Sequence, residues 1–402
     1  MHNIFYAAKN YSKSHHQLAM LSIVGFLAAF SRGIFISYIP AYINSYVASF
    51  FLVGVIYALP KFVALFVDLS ISSLFRTFQK KFIILFAFLL FIIVGFTFFL
   101  VDGFLGVILG LLLYGLASDL YYVPLYAKMM ASSKRSEDSH DNAIFKSFSS
   151  LGWTIGPLVG GFIVGSLFSG DIFVFFSLIC FLSFLIVLSL IKSEPIEHIP
   201  KISFKDGVKA LFNLNKKVKV PIAVSTFISF WDGSMWMAIP LFVLHNGLGS
   251  QYSGLMLMLF TLPYLLFRVP AGVYEDRHSK SSILFPLLLL GAVCFMLIPV
   301  VNTVFMIVLL FLISVTGAIM SPACGGLIVD HSSKKERDSA ASLEVFIENF
   351  VFLIVRVLGG LVLFLFSFNG MFLFVALSTL VVAFLVKRFY SKLENNIVTT
   401  SE

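Results

Sequence analysis

The side chains of this sequence that could do chemistry are charged groups inside apolar segments. Ten charged residues interrupt apolar runs that are long enough to span a bilayer. Each would cost about 3 kcal/mol if it faced lipid, and roughly 30 kcal/mol together exceeds the stability of a typical fold. They must therefore face one another or a watery cavity. The ten are Arg32, Lys61, Asp68, Asp119, Lys146, Asp232, Arg268, Glu344, Glu348 and Arg356.

Their depth separates binding candidates from surface charges. With a rise of about 1.5 Å per residue, Arg32 and Asp232 fall near the middle of a bilayer, and Asp119 lies somewhat closer to one face. Glu344 and Glu348 lie four residues apart on one helical face, where a proton on one carboxyl would relieve their repulsion. These acids, Arg32 and Arg356 are the candidate groups for binding a solute or a proton.

Aromatic residues accompany these charges. Trp231 and Trp236 flank Asp232 and could line an amphipathic pocket, although aromatic side chains at such positions are more often packing or interface residues. We include both tryptophans in the predicted binding region.

The composition defines the elements that must position these groups. Of 402 residues, 59% are hydrophobic and 12% charged, and the mean hydropathy is +0.99. These values exclude a soluble, secreted or disordered protein. The apolar runs predict an all-α polytopic membrane protein with twelve spans, at 18–43, 47–75, 82–101, 104–127, 143–168, 171–191, 219–244, 251–274, 281–301, 303–329, 339–366 and 370–390.

Basic residues are distributed asymmetrically between the loops. Twenty-three of the 28 Lys and Arg residues fall in segments on one side of the predicted topology, and the opposite loops contain none. This positive-inside pattern predicts that both termini are cytoplasmic, and it explains the net charge of +8 without a nucleic-acid partner. The orientation and the short loops suit a prokaryotic inner membrane.

Cofactor and metal chemistry gains no support from the sequence. The three Cys residues, at 180, 294 and 324, lie in apolar runs and form no metal-ligand spacing. No glycine-rich phosphate loop occurs. We expect no cofactor, no bound metal and no ATP hydrolysis.

The chain reads as two halves, 1–191 and 219–402, joined by a cytoplasmic linker at 192–218. The linker pattern predicts a short amphipathic helix lying on lipid headgroups, with a solvated linker as the alternative. The halves echo each other in sequence: Ser132-Ser133-Lys134-Arg135 returns as Ser332-Ser333-Lys334-Lys335, and Leu158-Val159-Gly160-Gly161 returns as Val357-Leu358-Gly359-Gly360. Matching order predicts a parallel repeat of six-span units.

Two motifs resemble the major facilitator superfamily. The loop between spans eight and nine has that family's spacing G-x-x-x-D-R-x-x-[KR] at Gly272, Asp276, Arg277 and Lys280, whereas the loop from Leu69 to Lys81 lacks the Gly and the Asp-Arg pair. In span five, a G-x-x-x-G-P-x-x-G-G run looks like the family's antiporter motif, or serves tight helix packing alone. Its residues are Gly152, Gly156, Pro157, Gly160 and Gly161.

The resemblance implies a transporter fold of two six-helix bundles and suggests which charges meet. Spans one and four flank the cavity in that family, so Arg32 and Asp119 are a candidate pair. Spans two and eleven meet there, so Lys61 and Glu348 are a candidate cytoplasmic gate, with a static ion pair as the alternative.

A second element of the gate is expected beside the loop motif. Asp276, next to Arg277, could approach the N-terminus of span five, where the helix dipole and Lys146 are both positive. Lys146 is as well explained by snorkelling to a headgroup boundary.

We therefore expect a monomeric secondary transporter, not an enzyme, that moves a small organic or amphipathic solute by alternating access. Span five favours antiport against protons. Proton symport or uniport of a metabolite is the alternative, and a membrane-embedded lipid-processing enzyme or a non-transporting sensor would be a different class of protein.

Overall fold

A computed structural model describes residues 2–101, 103–132, 138–166, 170–193, 216–275, 280–331 and 334–399. These ranges are helical apart from short connections, and they contain no β-strand. The helices are α1 (His2–Asn44), α2 (Phe50–Thr77), α3 (Lys80–Leu100), α4 (Phe104–Ser132), α5 (Asp138–Ser166), α6 (Asp171–Leu190), α7 (Lys216–His245), α8 (Ser250–Leu266), α9 (Arg268–Glu275), α10 (Lys280–Leu297), α11 (Thr303–His331) and α12 (Lys334–Thr399), with a 3-10 turn at Ile298–Val300 after α10.

The helices have the length and hydropathy of membrane spans. Eleven helical stretches of the described chain are long and apolar enough to cross a bilayer, and α8 with α9 forms one of them. The last stretch, Phe346–Tyr390, has 45 residues, and non-helical torsion angles at Ser367 break it into two segments. Counted separately, these segments bring the number of spans to twelve. The predicted all-α polytopic architecture is confirmed.

The chain divides into two compact units. The first comprises Met1–Ala48, Ile56–Ile202 and Val243–Met258, and the second comprises Ser49–Val55, Ser203–Phe242 and Leu259–Glu402. The boundaries of these units differ from those of the predicted halves. The start of α2 belongs to the second unit, whereas the end of α7 and the first half of α8 belong to the first unit. The predicted amphipathic helix of the linker falls largely at 194–215, outside the described residues.

An aromatic cluster forms the core of the first unit. Phe35 of α1 is almost completely buried, and its ring centroid lies 4.7 Å from that of Tyr114, 4.8 Å from Phe176 and 5.2 Å from Phe98. Rings from α1, α3, α4 and α6 thus meet at one point. Ring packing at these distances contributes about 0.5–1.5 kcal/mol per pair beyond area burial.

The core of the second unit is organised around Trp231 of α7. This indole is 1% exposed, packs against Phe295 of α10 at 5.7 Å, and donates its N–H to Thr379 Oγ1 of α12 at 3.0 Å. Satisfying the only polar group of a buried indole stabilises this arrangement. It also fixes the rotation of α7 about its axis, which determines where the neighbouring residue Asp232 points.

Candidate functional site

Arg32 lies in the middle of a membrane span. Its helix α1 crosses as His16–Asn44, which places Arg32 about 18 Å from the Asn44 end and about 24 Å from the His16 end. The side chain is only partly buried. A guanidinium at this depth needs neighbours that stabilise its charge.

Three aromatic rings surround the Arg32 guanidinium within the first unit. The guanidinium carbon lies 5.9 Å from the ring centroid of Tyr114, 5.4 Å from that of Tyr121 and 5.2 Å from that of Trp153. The Arg32 Nε–H also donates a 3.1 Å hydrogen bond to the Tyr114 hydroxyl oxygen. Tyr114 and Tyr121 are seven residues apart on one face of α4, and Trp153 comes from α5.

Asp119 of α4 acts electrostatically on Arg32 within the same unit. Its side chain is 6% exposed, and its charge stabilises the Arg32 cation by a Coulomb interaction. The Arg32 hydrogen bond goes to Tyr114 rather than to Asp119. The predicted pairing of Arg32 with Asp119 stays a prediction, since the interaction that the structure gives for these two residues is a Coulomb attraction.

In the second unit, Asp232 lies near the middle of its own helical span. Its span, Lys217–His245, has Asp232 about 20 Å from either end. The Tyr264 hydroxyl of α8 donates to Asp232 Oδ1 at 3.3 Å. Gly317 of α11 leaves space for this hydroxyl, because a Cβ there would lie 2.6 Å from the hydroxyl oxygen.

Arg268, the first residue of α9, follows Tyr264 by four residues. The Arg268 guanidinium carbon lies 5.7 Å from the Tyr264 ring centroid, and Arg268 Nη2 donates to Ser321 Oγ of α11 at 3.1 Å. Arg268 attracts the Asp232 carboxylate and Glu348 repels it, both through Coulomb interactions. Asp232, Tyr264 and Arg268 thus form a polar cluster among apolar helices.

The remaining charged candidates are distributed as follows. Glu348 is exposed on α12. Arg356, about two helical turns later, is 5% exposed, and its guanidinium carbon lies 5.8 Å from the Phe352 ring centroid. Glu344 belongs to α12, and its side chain lies outside the described part. Trp236 is partly buried, and Trp231 is a core residue bonded to Thr379, so we leave Trp231 out of the proposed binding region.

The predicted gate residues fall in different parts of the structure. Asp276 and Arg277 lie outside the described residues. Lys146 is exposed, with its ammonium 5.9 Å from the Tyr126 ring centroid. Lys61 belongs to the first unit and Glu348 to the second, so their pairing stays a prediction.

Lys280, the last residue of the loop motif, makes an ion pair inside the second unit. Its Nζ lies 2.8 Å from Asp330 Oδ2, which joins the start of α10 to the end of α11. Its stem passes Gly326, where a Cβ would lie 2.9 Å from Lys280 Cε. The basic residue of this motif therefore ties two neighbouring helix ends together.

The glycines of the predicted antiporter motif bring α5 into backbone contact with other helices. A Cβ at Gly152, Gly156 or Gly160 would lie 2.5–2.9 Å from carbonyl oxygens of α1. A Cβ at Gly161 would lie 2.7 Å from the Ser250 oxygen and 3.0 Å from the Gly254 Cα of α8. Close approach of this kind requires small residues, whether or not the motif also serves antiport.

Sequence reasoning missed three aromatic residues of this region, namely Tyr114, Trp153 and Tyr264. None carries a charge, so none stands out in an apolar run. The spacing could have identified two of them: Tyr114 precedes Tyr121 by two helical turns, and Tyr264 precedes Arg268 by four residues on the same face.

Metal binding finds no candidate in the described ranges, where no three His, Cys, Asp or Glu residues cluster. The polar groups instead suit recognition of charged or hydrogen-bonding solutes. A polytopic helical protein with a charged, aromatic-lined group at mid-depth in each unit has the build of a membrane transporter.

A family model of the Major Facilitator Superfamily matches residues 21–230 and 222–400. The chain belongs to this superfamily, whose members of similar structure are transporters and not enzymes. The resemblance carried by the loop and span-five motifs is thereby confirmed, as is the prediction of an integral membrane protein.

Several solved structures are similar to the chain at low sequence identity. A mutant of the nucleoside transporter NupG is 15% identical with a TM-score of 0.77, covering 92% of this chain and 99% of that one. A POT family transporter in complex with 5-aminolevulinic acid is 14% identical with a TM-score of 0.76, covering 93% and 96%. The human organic anion transporter MFSD10 is 14% identical with a TM-score of 0.69, covering 93% and 99%. No curated protein sequence matches the chain.

Proposed function

We propose that this protein is a secondary transporter that moves a small organic solute by alternating access, coupled to protons in the antiport direction. The observation that carries the proposal is the mid-span carboxyl of Asp232 hydrogen-bonded to Tyr264. A carboxyl at this depth changes charge when it binds a proton, and the energy of a buried charge is large enough to bias a conformational equilibrium.

The surroundings of Asp232 suit reversible protonation. Tyr264 donates to the carboxylate, and Arg268 attracts it without forming an ion pair, while the charge of Glu348 opposes it. Protonation would then accompany one conformation, and release of the proton would accompany the other.

The first unit and the similar structures both support a small organic solute as the cargo. The Arg32 group combines aromatic surface with a cation, which suits an organic solute better than an inorganic ion. The similar structures are described as carrying nucleosides, organic anions or a bound amino-acid derivative. These descriptions belong to those proteins, and here they support only a small organic cargo.

The direction of coupling rests on α5. Its motif resembles that of antiporters, and Gly152, Gly156 and Gly160 bring the backbone of α5 into close contact with α1. Proton symport and uniport use the same fold and remain the alternatives to be separated by experiment.

The test is proton movement in proteoliposomes that contain a pH-sensitive dye. Amino acids, dipeptides, nucleosides, aromatic carboxylates and organic cations are added outside one at a time. Antiport predicts that an accepted solute makes the lumen more alkaline, because protons leave as solute enters. Symport predicts acidification, and uniport predicts solute entry measured with radiolabel but no change in luminal pH.

Asp232→Asn tests the assignment of the proton site. The variant should abolish solute-driven pH change, whereas Asp171→Asn, at the start of α6, should retain it and serves as the matched control. Normal coupling in Asp232→Asn would disprove the role of Asp232. No uptake of any solute would favour a sensor over a transporter.

A further inference from the structure

Within the described part of the chain, Arg32 contacts a tyrosine hydroxyl and aromatic rings. Its Nε–H donates to the Tyr114 hydroxyl, and the rings of Tyr121 and Trp153 and the Tyr121 hydroxyl lie beside its guanidinium. The nearby acid, Asp119, attracts the Arg32 cation through a Coulomb interaction, but the Arg32 hydrogen bond goes to Tyr114. Arg32 is a partly exposed residue, and its hydrogen bond to Tyr114 uses the Nε–H, which leaves the Nη donors to the Tyr121 hydroxyl and to a ligand.

Aromatic rings hold a guanidinium without neutralising it. Cation–π contacts contribute roughly 0.5–2 kcal/mol and leave the net charge unchanged. An oxyanion, in contrast, matches the planar fork of Arg with two parallel hydrogen bonds and cancels the charge. The same rings offer flat apolar surface beside the position that such an anion would occupy.

We propose that the transported solute carries a carboxylate or phosphate group, which binds to the Arg32 guanidinium, with an apolar part that packs against Tyr121 and Trp153. This inference deepens the proposed function, since it names the solute class for the same transport activity. It concerns the first unit alone and does not depend on Asp232.

Binding of matched compounds to the purified protein tests the proposal without a membrane gradient. The probes are phenylacetate against phenylacetamide, and phenyl phosphate against phenol, measured as shifts of the thermal unfolding midpoint. The anionic member of at least one pair should raise the midpoint by roughly 3 °C at saturation, and its neutral partner should not. The two pairs distinguish a carboxylate from a phosphate ligand.

Variants locate the binding at Arg32. Arg32→Gln should abolish the anion-dependent shift, and Arg32→Lys should weaken affinity by about tenfold because the charge remains but the planar fork is lost. Arg388→Gln, which removes an exposed basic residue of α12, is the control and should bind normally. Quenching of tryptophan fluorescence by the anion should disappear in Trp153→Phe, which reports binding beside Arg32 even if Arg32→Gln does not fold.

Three results would overturn the proposal: equal shifts with anionic and neutral partners, an unchanged anion shift in a folded Arg32→Gln protein, or no response to any anion. Failure of the proposed function looks different. Loss of proton coupling with intact anion binding would leave the solute class standing, and intact coupling without anion binding would leave the transport proposal standing.

Discussion

The two units hold charges of opposite sign at matching positions. Arg32 lies in the first span of the first unit, and Asp232 follows it by 200 residues in the corresponding span of the second half. A tyrosine bonds to each, yet the roles are reversed: the Tyr114 oxygen accepts from Arg32, and the Tyr264 hydroxyl donates to Asp232. A hydroxyl can do both, so one residue type serves a cation and an anion.

The side chains that surround Arg32 and Asp232 also differ in kind and number. Arg32 is surrounded by three rings, whereas Asp232 has one phenol, with Arg268 and Glu348 acting on it electrostatically. Redundant ring contacts hold the cation in place. A carboxyl that depends on a single hydrogen bond is the group better suited to change its protonation state.

The largest expected effect in this comparison comes from removing the two tyrosine hydroxyls. Hydrogen bonds to charged groups contribute about 1.5–3 kcal/mol. Tyr264→Phe should therefore reduce gradient-driven transport by at least about tenfold. Tyr114→Phe should reduce it only about threefold, because Arg32 keeps Tyr121 and Trp153. Initial rates of solute-dependent pH change in proteoliposomes measure both, and equal losses would contradict the proposed difference between the units.

Each unit also contains a close glycine–glycine contact between two helices. A Cβ at Gly161 would lie 3.0 Å from the Gly254 Cα, and a Cβ at Gly360 would lie 2.9 Å from the Gly54 Cα. Because backbone cannot yield as a side chain can, Gly161→Ala and Gly360→Ala should each lower the free energy of unfolding by about 1–3 kcal/mol. Thermal or denaturant unfolding in detergent measures this, with Gly325→Ala as the control, since its Cβ would meet nothing within 4 Å. A clearly unequal pair of losses would show that the repeat is not energetically symmetric.

Substitution of Gly160 and of Gly359, which precede these two glycines in the sequence, should change stability by different amounts. A Cβ at Gly160 would lie 2.9 Å from the backbone oxygen of Ile34, but a Cβ at Gly359 would meet the terminal methyl groups of Met237 and Met371 at 2.7 and 3.0 Å. Methionine side chains adapt readily. Gly359→Ala should therefore cost less than about 1 kcal/mol, and Gly160→Ala should cost more. The reverse order in melting midpoints would mean that the methionines of the second unit are held rigidly.

The sequence was sufficient for the all-α polytopic fold and its spans, because hydropathy and the length of an apolar run are properties of the chain itself. It was not sufficient for the direction in which each side chain points. Trp231 and Asp232 are neighbours, yet Trp231 is a buried core residue and Asp232 reaches Tyr264. Successive helical residues point about 100° apart, and a helix that is apolar on most sides gives no period that marks its inner face.

Pairings across long sequence distances were equally hard to predict. Arg32 and Tyr114 are 82 residues apart, and their contact depends on how α1 and α4 pack. The resemblance to the superfamily suggested Asp119 as the partner of Arg32, because spans one and four flank the cavity in that family. In the structure the Arg32 guanidinium contacts three aromatic rings and donates to Tyr114, and local spacing alone does not predict these contacts.

The smallest expected effect concerns the turn that breaks α12. Residues with positive φ in the first unit are Gly103, at 89°, and Gly247, at 65°, whereas the second unit has Ser367 at φ 57° and ψ −168° among its described residues. This conformation is strained for a residue with a Cβ and accessible to glycine. Ser367→Gly should therefore raise the free energy of unfolding by about 0.5–1 kcal/mol and the melting midpoint by roughly 1–3 °C. Ser378→Gly, in the regular part of the same helix, should instead lower the midpoint, because glycine destabilises a helix interior. A loss of stability in both variants would show that the Ser367 side chain contributes more than its backbone strain costs.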